Sequence, residues 1–461
     1  MELLKKFQEL NIHSDESREK PVNQEKPYTM TARVKLDSKK TLLGSAFNMY
    51  LSPDETQILA CVGSKYVHVF SLPKDANVIT PVWGTEMQST KEDLYTVTWC
   101  FDTYEAEQNR NPYKIVTGGA GGQIYVIDGV DKSLVNCGQF VGGAINDLRT
   151  CPTNPNLVAC GSKDSTIRIF HIRNQEFLVT MGGMHGHADQ VLSVDWSANG
   201  DYILSCGFDH QIMKWDLTAT HVKKHLEACC KALKSGEMNI LTQTTPLPDY
   251  DEEPDPIPPP QEGLQGYEQS LEVVKAIKEH ISKMRKPEGC FMPIYAPMAV
   301  CSDLHVDYVD CVRTSGESDY IFSKGCGKES AIYLWRFGAP ENITENFSTD
   351  QLIAKTATKL MMVEVPHGDT WFVKFEIDPT NKWLACGGAY GTICIFSLED
   401  FERGPVLKME NYGNSPIRQM TFSSDGRFLV AIDETGHIMR LDRVPADVDL
   451  QDFSKAFPLT R

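Results

Sequence analysis

A strand repeat is the feature that most limits what this chain can fold into. Its clearest copy starts at Gly186-His187 and ends at Trp215-Asp216, and three short strand-forming runs separated by turn residues lie between these pairs. Repeats of this length usually form one small sheet each, and neighbouring sheets must then stack to bury their apolar faces. The sequence therefore predicts a chain that is built from stacked sheets.

Six weaker copies follow the same order of strands and turns. They run over Phe47–Phe70, Tyr95–Ile127, Ile145–Phe170, Tyr308–Trp335, Trp371–Phe396 and Ile417–Leu441. The Gly-His and Trp-Asp pairs of the clearest copy resemble a WD40 repeat, and seven such repeats close into a ring that leaves no long free sheet edge. We therefore predict an all-β, seven-bladed WD40 propeller over residues 41–443, with a flexible arm at 1–40 and a tail at 444–461.

The spacing between the fourth and fifth repeats is too long for a turn. Residues 246–260 are acidic and proline-rich, which predicts an exposed loop that cannot pack. Apolar residues then recur at steps of three and four from Leu271 to Met284, which predicts an amphipathic helix. We place both features in an insertion at 218–303, which is either a tolerated surface insertion or an arm that docks a partner.

Composition restricts the classes of partner. The chain of 461 residues is 41% hydrophobic and 23% charged, which excludes wholesale disorder. Its net charge of −17 disfavours direct sequence-specific DNA binding and suits basic partners such as histone tails. We find no apolar run of the length of a signal peptide or a membrane span, so we expect no membrane association and a cytosolic or nuclear location.

The sequence offers no convincing catalytic centre, metal site or cofactor motif. The fourteen cysteines include no C-x-x-C pair, and the glycine-rich runs match no nucleotide-binding pattern. His187, Ser205 and Asp209 could suggest a hydrolase triad, but we reject this interpretation. In a WD40 blade these residues and Trp215 form a buried hydrogen-bond network. We therefore expect a protein that is not an enzyme and uses no cofactor.

Aromatic residues at the start of two repeats are the candidate binding residues. Trp371 and Phe372 follow a turn-like run, and Tyr95 occupies the matching place in another repeat. If they converge on the mouth of the channel, their rings could hold a quaternary ammonium by cation–π attraction, at about 0.5–2 kcal/mol for each face. Periodicity alone favours the alternative that they are core residues at strand ends.

Several runs go beyond the general WD40 pattern. They resemble the embryonic ectoderm development / extra sex combs family of WD40 Polycomb subunits, as a divergent member similar to the nematode maternal-effect-sterile type. These runs are Leu42–Asn48, Tyr95–Trp99, Ala276–Glu279, Tyr308–Arg313, Asp369–Phe375 and Ile417–Gln419.

The resemblance implies a function in gene silencing. Members of this family are non-catalytic subunits of Polycomb repressive complex 2 (PRC2), a nuclear histone H3 methyltransferase complex. One face takes a helical segment of the SET-domain methyltransferase, and the other reads trimethyl-lysine on the histone H3 tail. The resemblance therefore implies a scaffold in the nucleus whose partners are the SET-domain subunit, other Polycomb subunits and the H3 tail.

The family's methyl-lysine cage transfers residue by residue, with two departures. Tyr95, Trp371 and Phe372 match three walls, and Arg418 matches an arginine beside the peptide. Phe372 stands where the family has Tyr, which keeps a ring face, whereas Leu43 stands where the family has Phe, which removes one. We therefore expect weak or absent selectivity for trimethylated peptide. The alternative is a WD40 adaptor of another complex, such as a ubiquitin ligase.

Overall fold

The protein is a ring of sheets, seen in a computed structural model that describes residues 27–36, 41–89, 92–138, 141–235, 292–316, 318–327, 330–338, 357–410 and 415–444. Over these ranges the chain forms seven sheets, of which six have four strands and the third has five. The prediction of a seven-bladed propeller is confirmed.

Each blade takes most of its strands from one stretch of chain, and the last blade also takes the first strand of the chain. Strand β1 (Tyr28–Lys35) joins the seventh blade. Blade 1 contains β2 (Gly44–Phe47), β3 (Gln57–Gly63), β4 (Tyr66–Leu72) and β5 (Thr80–Glu86). Blade 2 contains β6 (Leu94–Phe101), β7 (Tyr113–Gly119), β8 (Tyr125–Asp128) and β9 (Leu134–Cys137), with helix α1 (Thr103–Glu107) after β6. Blade 3 contains β10 (Ile145–Thr150), β11 (Leu157–Ser162), β12 (Ile167–His171) and β13 (Phe177–Met181).

The remaining blades follow the same plan. Blade 4 contains β14 (Val191–Trp196), β15 (Tyr202–Gly207) and β16 (Ile212–Asp216), followed by helix α2 (Thr220–Ser235). Strand β17 (Met292–Ile294) returns to blade 3, and β18 (Ala299–Cys301) completes blade 4. Blade 5 contains β19 (Val309–Thr314), β20 (Ile321–Gly325), β21 (Ala331–Phe337) and β22 (Ala357–Glu364). Blade 6 contains β23 (Glu376–Ile377), β24 (Trp383–Gly387), β25 (Ile393–Ser397) and β26 (Pro405–Met409), and blade 7 contains β27 (Ile417–Phe422), β28 (Phe428–Asp433) and β29 (His437–Arg443).

The ring is closed by its first strand, which differs from the predicted arm at 1–40. Strand β1 pairs antiparallel with β29, from Tyr28 opposite Arg443 to Lys35 opposite His437. Tyr28 is buried, and its hydroxyl donates to the carbonyl of Gly426 at 2.6 Å. Closure in this way covers the edge that β29 would otherwise expose. The propeller therefore begins at residue 28, and the flexible-arm prediction is wrong for Tyr28–Lys35.

The insertion predicted at 218–303 is narrower than expected. Helix α2 packs Val222, Cys229 and Leu233 into the core shared by blades 3 and 4, because these side chains fall on one helical face. At the other end, β17 pairs in parallel with β13, and β18 pairs with β16. Residues 236–291, which include the proline-rich run and the helix predicted at 271–284, lie outside the described residues.

The blades share one orientation, which defines two ends of the central channel. The first strand of each blade lines the channel, and these strands all run in the same direction because each blade repeats the same chain order. We call the end where they begin the upper opening and the end where they finish the lower opening. In the described part of the chain, no helix has the length and apolarity needed to cross a bilayer.

Candidate functional site

A pocket of about 370 Å³ lies at the upper opening. Leu43, Tyr95, Trp371, Phe372 and Arg418 all line it, although they come from four separate stretches of the chain. The structure thus brings together all the residues that the family resemblance assigned to the cage. The rest of the lining consists of Asp93, Ala144, Asn146, Lys163, Gln190, Phe208 and Glu434.

Three aromatic rings form a connected wall of this pocket. The ring centroid of Phe372 lies 6.0 Å from that of Tyr95, at an interplanar angle of 69°, and 5.7 Å from that of Trp371, at 56°. Phe372 is 6% exposed, whereas Trp371 is 51% exposed. The alternative of core residues at strand ends therefore describes Phe372 but not Trp371, whose indole faces solvent at the pocket.

The backbone at the wall adopts an unusual conformation. Phe372 has φ of 57°, in the left-handed region that bulky side chains rarely adopt. Such residues persist only where surrounding contacts hold them, and they concentrate at ligand sites. Here the Arg418 guanidinium donates to the carbonyl of Trp371, and the Lys374 N–H donates to the carbonyl of Arg418 at 3.0 Å. These contacts fix the loop that presents the indole.

Arg418 acts on this loop and not as an open contact for a peptide. Its Nε donates to Glu434 at 2.6 Å, and its Nη2 also lies against the same carboxylate. The residue is only 8% exposed. The resemblance predicted an arginine beside the peptide. In the structure, Arg418 lines the pocket, and its guanidinium hydrogen-bonds to Glu434 and to the carbonyl of Trp371. Arg418 is therefore a positioning residue for the aromatic wall.

Two further residues of the pocket lining differ in character from the rings. Leu43 is partly buried, and its N–H donates to Val62 of the neighbouring strand at 2.9 Å. Asp93 lies two residues before Tyr95 and was missed in the sequence analysis. Burial raises the pKa of Asp93, although a hydrogen bond from the Ser64 backbone acts in the opposite direction. Asp93 Oδ1 is buried and has no hydrogen-bond partner. The short distance along the sequence from Tyr95 was the signal that could have found it.

A buried ion pair lies inside the channel next to the aromatic wall. Lys374 Nζ lies 5.2 Å from the ring centroid of Phe372, 2.6 Å from Asp147 Oδ1 and 2.8 Å from the carbonyl of Asn146. Lys374 belongs to blade 6, whereas Asp147 belongs to blade 3, so this ion pair crosses the channel. These buried groups lie inside the channel, and Lys374 is next to the Phe372 ring of the pocket wall.

Further ion pairs connect different blades inside the channel. Arg149 Nη2 of blade 3 lies 2.7 Å from Glu376 Oε2 of blade 6, and Arg313 Nε of blade 5 lies 3.3 Å from the other oxygen of the same carboxylate. Asp195 accepts from the N–H of Thr314 at 2.8 Å, and burial raises the pKa of Asp195 to about 7 against the charge of Arg149. The interior of the channel is a network of paired charges.

The lower opening holds a second pocket, of about 470 Å³. Its rim includes Met49, which is 46% exposed, together with Tyr50, Trp99, Trp196, Ile377 and Pro379. The two ends of the channel therefore differ, because the lower end combines a mixed apolar rim with channel ion pairs and lacks the exposed aromatic wall of the upper end.

The blade 4 residues that could suggest a hydrolase form a structural network. His187 Nδ1 lies 2.9 Å from both oxygens of Asp209, and His187 Nε2 lies 2.7 Å from Ser205 Oγ. Trp215 Nε1 donates to the same Ser205 Oγ at 2.9 Å. His187, Ser205 and Trp215 are buried, so each polar atom needs the partner that it has here.

Blade 5 contains a second network that the sequence analysis missed. His305 Nε2 lies 2.7 Å from Ser323 Oγ, which also accepts from Trp335 Nε1 at 2.9 Å. Gly327 stands where the pattern of blade 4 has its aspartate, and His305 Nδ1 is buried without a hydrogen-bond partner. The signal was the His-to-Ser spacing, which is eighteen residues in both blades.

Neither a metal-binding cluster nor a disulfide is found in the described ranges. Among those residues, no group of three or more His, Cys, Asp and Glu side chains is placed to hold a metal ion. The thirteen described cysteines form no disulfide and are mostly buried, and burial raises the pKa of several of them, as for Cys160, whose pKa reaches about 12. Thiols in such surroundings are poor nucleophiles.

Comparison with known proteins gives a consistent set of relatives. The family model described as WD domain, G-beta repeat matches residues 135–171 and 178–216. The chain is 43% identical over 464 aligned positions to Polycomb protein mes-6 of Caenorhabditis elegans, covering 99% of this chain and 100% of that relative. It is 26% identical over 421 positions to Polycomb protein esc of Drosophila melanogaster, covering 90% of this chain and 84% of the relative.

A solved structure supports the same fold. The crystal structure of the Chaetomium thermophilum polycomb repressive complex 2 contains a chain that matches with a TM-score of 0.66 at 18% sequence identity. The match covers 92% of this chain and 100% of that chain. At this identity the likeness speaks for the propeller architecture alone.

Proposed function

The chain belongs to the embryonic ectoderm development / extra sex combs family of Polycomb proteins, and we propose that it is a non-catalytic scaffold and regulatory subunit of a Polycomb-type histone H3 lysine methyltransferase complex. Its partners are a SET-domain catalytic subunit, other Polycomb subunits and the histone H3 tail. It acts in the nucleus, where the chromatin substrate of such a complex lies.

The observation that carries the proposal is the convergence of Tyr95, Trp371 and Phe372 on one pocket at the upper opening. Ring faces attract alkylated ammonium groups, which lose little hydration on entering such a pocket. The surrounding fold contacts this wall at two points, since Arg418 donates to the Trp371 carbonyl and Lys374 packs against the Phe372 ring. We propose that a methylated lysine side chain of the H3 tail inserts here.

The catalytic step belongs to the partner. We propose that the chain itself transfers no methyl group and supports the enzyme by holding it in its active conformation. Binding of a methylated tail changes activity only if the complex binds that tail better in one enzyme conformation than in another.

We propose that the methyltransferase contacts the lower opening. Its mixed apolar rim suits an amphipathic segment, which would cover Met49 while the upper pocket remains accessible. The two functions are then separated by the ion pairs inside the channel.

Reconstitution of the complex tests this function. We expect the SET-domain subunit with its other partners but without this chain to lose most of its activity on nucleosomes, and the isolated chain to transfer no methyl group. Full activity without the chain would contradict the proposal. So would co-purification with a cullin adaptor in place of a SET-domain protein, because that outcome favours a ubiquitin-ligase scaffold.

Two point variants separate the two faces. Met49→Arg should weaken assembly with the SET-domain subunit and leave binding of H3 peptide intact, whereas Trp371→Ala should do the reverse. Assembly is measured by co-elution of purified subunits and peptide binding by calorimetry. Loss of both properties in either variant would contradict the assignment of separate faces.

A further inference from the structure

We propose that the pocket at the upper opening prefers a lysine ammonium that retains an N–H, in the mono- or dimethylated state, over the trimethylated state, because the Asp93 carboxylate accepts a hydrogen bond from it. This inference rests on the proposed function, since it assumes that the pocket binds methylated lysine. It assigns to Asp93 the role of setting which methylation state is read.

The position of Asp93 carries the first part of the argument. It lines the same pocket as the three rings. Burial raises the pKa of the Tyr95 hydroxyl, and the negative charge of Asp93 raises that pKa further. The Asp93 carboxylate is therefore beside the aromatic wall. The Ser64 backbone N–H hydrogen-bonds this carboxylate, which fixes its orientation.

The unsatisfied oxygen carries the second part. Asp93 Oδ1 is buried and has no hydrogen-bond partner. A buried carboxylate oxygen without a donor is costly, and in native structures such a group usually has an explanation, of which an absent ligand is one. In the channel interior, by contrast, Asp147 accepts from Ser193 Oγ at 2.9 Å and from Val194 N–H at 3.1 Å, in addition to its ion pair with Lys374.

The ligand that suits this oxygen is a cation with a hydrogen to donate. Mono- and dimethyl-lysine carry N–H groups that reach a carboxylate oxygen at about 2.7–2.9 Å. Trimethyl-lysine has none, and its methyl carbons must stay at about 3.3–3.6 Å or more from the oxygen. The trimethylated form therefore leaves Asp93 Oδ1 without a donor, and the trimethylammonium group loses water without a hydrogen bond in return.

Leu43 also favours the lower methylation states over the trimethylated state. A fully methylated ammonium gains most from a complete ring of π faces, and Leu43 offers apolar contact without a ring quadrupole. Unmodified lysine is disfavoured at the other extreme, because its ammonium is strongly hydrated and the rings do not replace that water. Lys163 also lines the pocket, but it is exposed and its long side chain can extend into solvent. The pocket is thus best suited to mono- and dimethylated lysine.

The test is a titration of the full chain with synthetic histone H3 tail peptides that carry one target lysine in the unmodified, mono-, di- and trimethylated forms. We expect the better of the mono- and dimethylated peptides to bind about tenfold more tightly than the trimethylated one, as one additional charge-assisted hydrogen bond predicts. Asp93→Asn should reduce this preference to about twofold or less, because it removes the carboxylate charge. Asp189→Asn is the matched control, since it removes one exposed acidic group beside the same face and should keep the preference.

The outcomes separate this inference from the proposed function. Trimethylated peptide that binds as well as or better than the others would overturn the role of Asp93 and leave methyl-lysine binding intact. Equal, weak binding of all four peptides would overturn the proposed pocket function itself. If Asp93→Asn does not fold, as judged by its thermal unfolding, the order of affinities of the four peptides for the unmodified chain still tests the inference.

Discussion

The upper opening and the interior of the channel use the same kinds of residue for opposite purposes. In the interior, Lys374 and Asp147 are buried and satisfy one another across the channel. At the opening, Asp93 Oδ1 lacks a partner, and the Trp371 indole is half exposed. The comparison teaches that buried charges inside the channel are paired with each other, whereas a carboxylate oxygen at the opening is left for a ligand to pair with.

Lys374 joins the two regions. Its ammonium pairs with Asp147 below and lies 5.2 Å from the Phe372 ring centroid above. One face of Phe372 is therefore already occupied by a protein cation, and a ligand can use only the rest of the pocket. The wall is contacted from inside the channel by Lys374, and its outer ring, Trp371, is exposed.

The largest expected effect is on the interior. Lys374→Met leaves Asp147 buried without its cation, and we expect the free energy of unfolding to fall by about 3–5 kcal/mol. Urea denaturation measures this change. Lys408→Met is the matched control, because its ion pair with Glu410 is exposed and should contribute less than about 1 kcal/mol. Similar losses in both variants would mean that the buried ion pair contributes no more to stability than an exposed one.

The second prediction concerns pH in the interior. The folded chain holds the proton of Asp195 up to about pH 7, whereas an ordinary aspartate releases it near 3.8. The folded state therefore binds more protons between these values, so Asp195 lowers the free energy of unfolding as pH rises through this window, by roughly 2–4 kcal/mol.

Asp195→Asn should remove this loss. The difference in unfolding free energy between the variant and the unmodified chain is the quantity to follow from pH 4 to pH 7, because it cancels the opposing contribution of the buried His171, whose pKa is lowered to about 4 by burial. A difference that stays constant over this range would show that Asp195 ionises normally.

The third prediction concerns the opening. Trp371→Ala removes an exposed ring, so stability should change by less than about 0.5 kcal/mol while affinity for a methylated H3 peptide falls by about 1–2 kcal/mol. Calorimetry gives both values. Tyr390→Ala, which removes another exposed ring outside the pocket lining, should leave binding unchanged. Equal losses in the two variants would place the peptide elsewhere on this face.

The smallest expected effect is a gain. Leu43→Phe restores a ring face, and we expect trimethylated peptide to bind several-fold more tightly, or about 1 kcal/mol. Leu134→Phe makes the same change on the exposed outer strand of blade 2 and should have no effect on binding. No gain with Leu43→Phe would show that residue 43 is not a wall of the cage.

The repeat pattern was sufficient to predict the blades, because each blade repeats the same strands and turns. It could not reveal Tyr28–Lys35, since the partner of that strand lies more than 400 residues away in the chain. Helix α2 was missed for a related reason, because its apolar face is recognised by packing against blades 3 and 4. Local periodicity carries little information on contacts that the ring closure creates.

The candidate site was only partly visible in the sequence. The family resemblance pointed to Tyr95, Trp371 and Leu43, and the structure places them around one pocket. It gave no indication that Phe372 adopts a left-handed conformation or that Asp93 Oδ1 lacks a partner. Both properties depend on how four distant segments meet, which no single stretch of sequence encodes.

A crystal structure of this chain with a dimethylated H3 tail peptide would test the binding role of the upper opening most directly. We predict that the ammonium lies within about 6 Å of the ring centroids of Trp371 and Tyr95 and donates a hydrogen bond to Asp93. A peptide bound at the lower opening or on the outer strands, with the upper pocket vacant, would contradict this assignment.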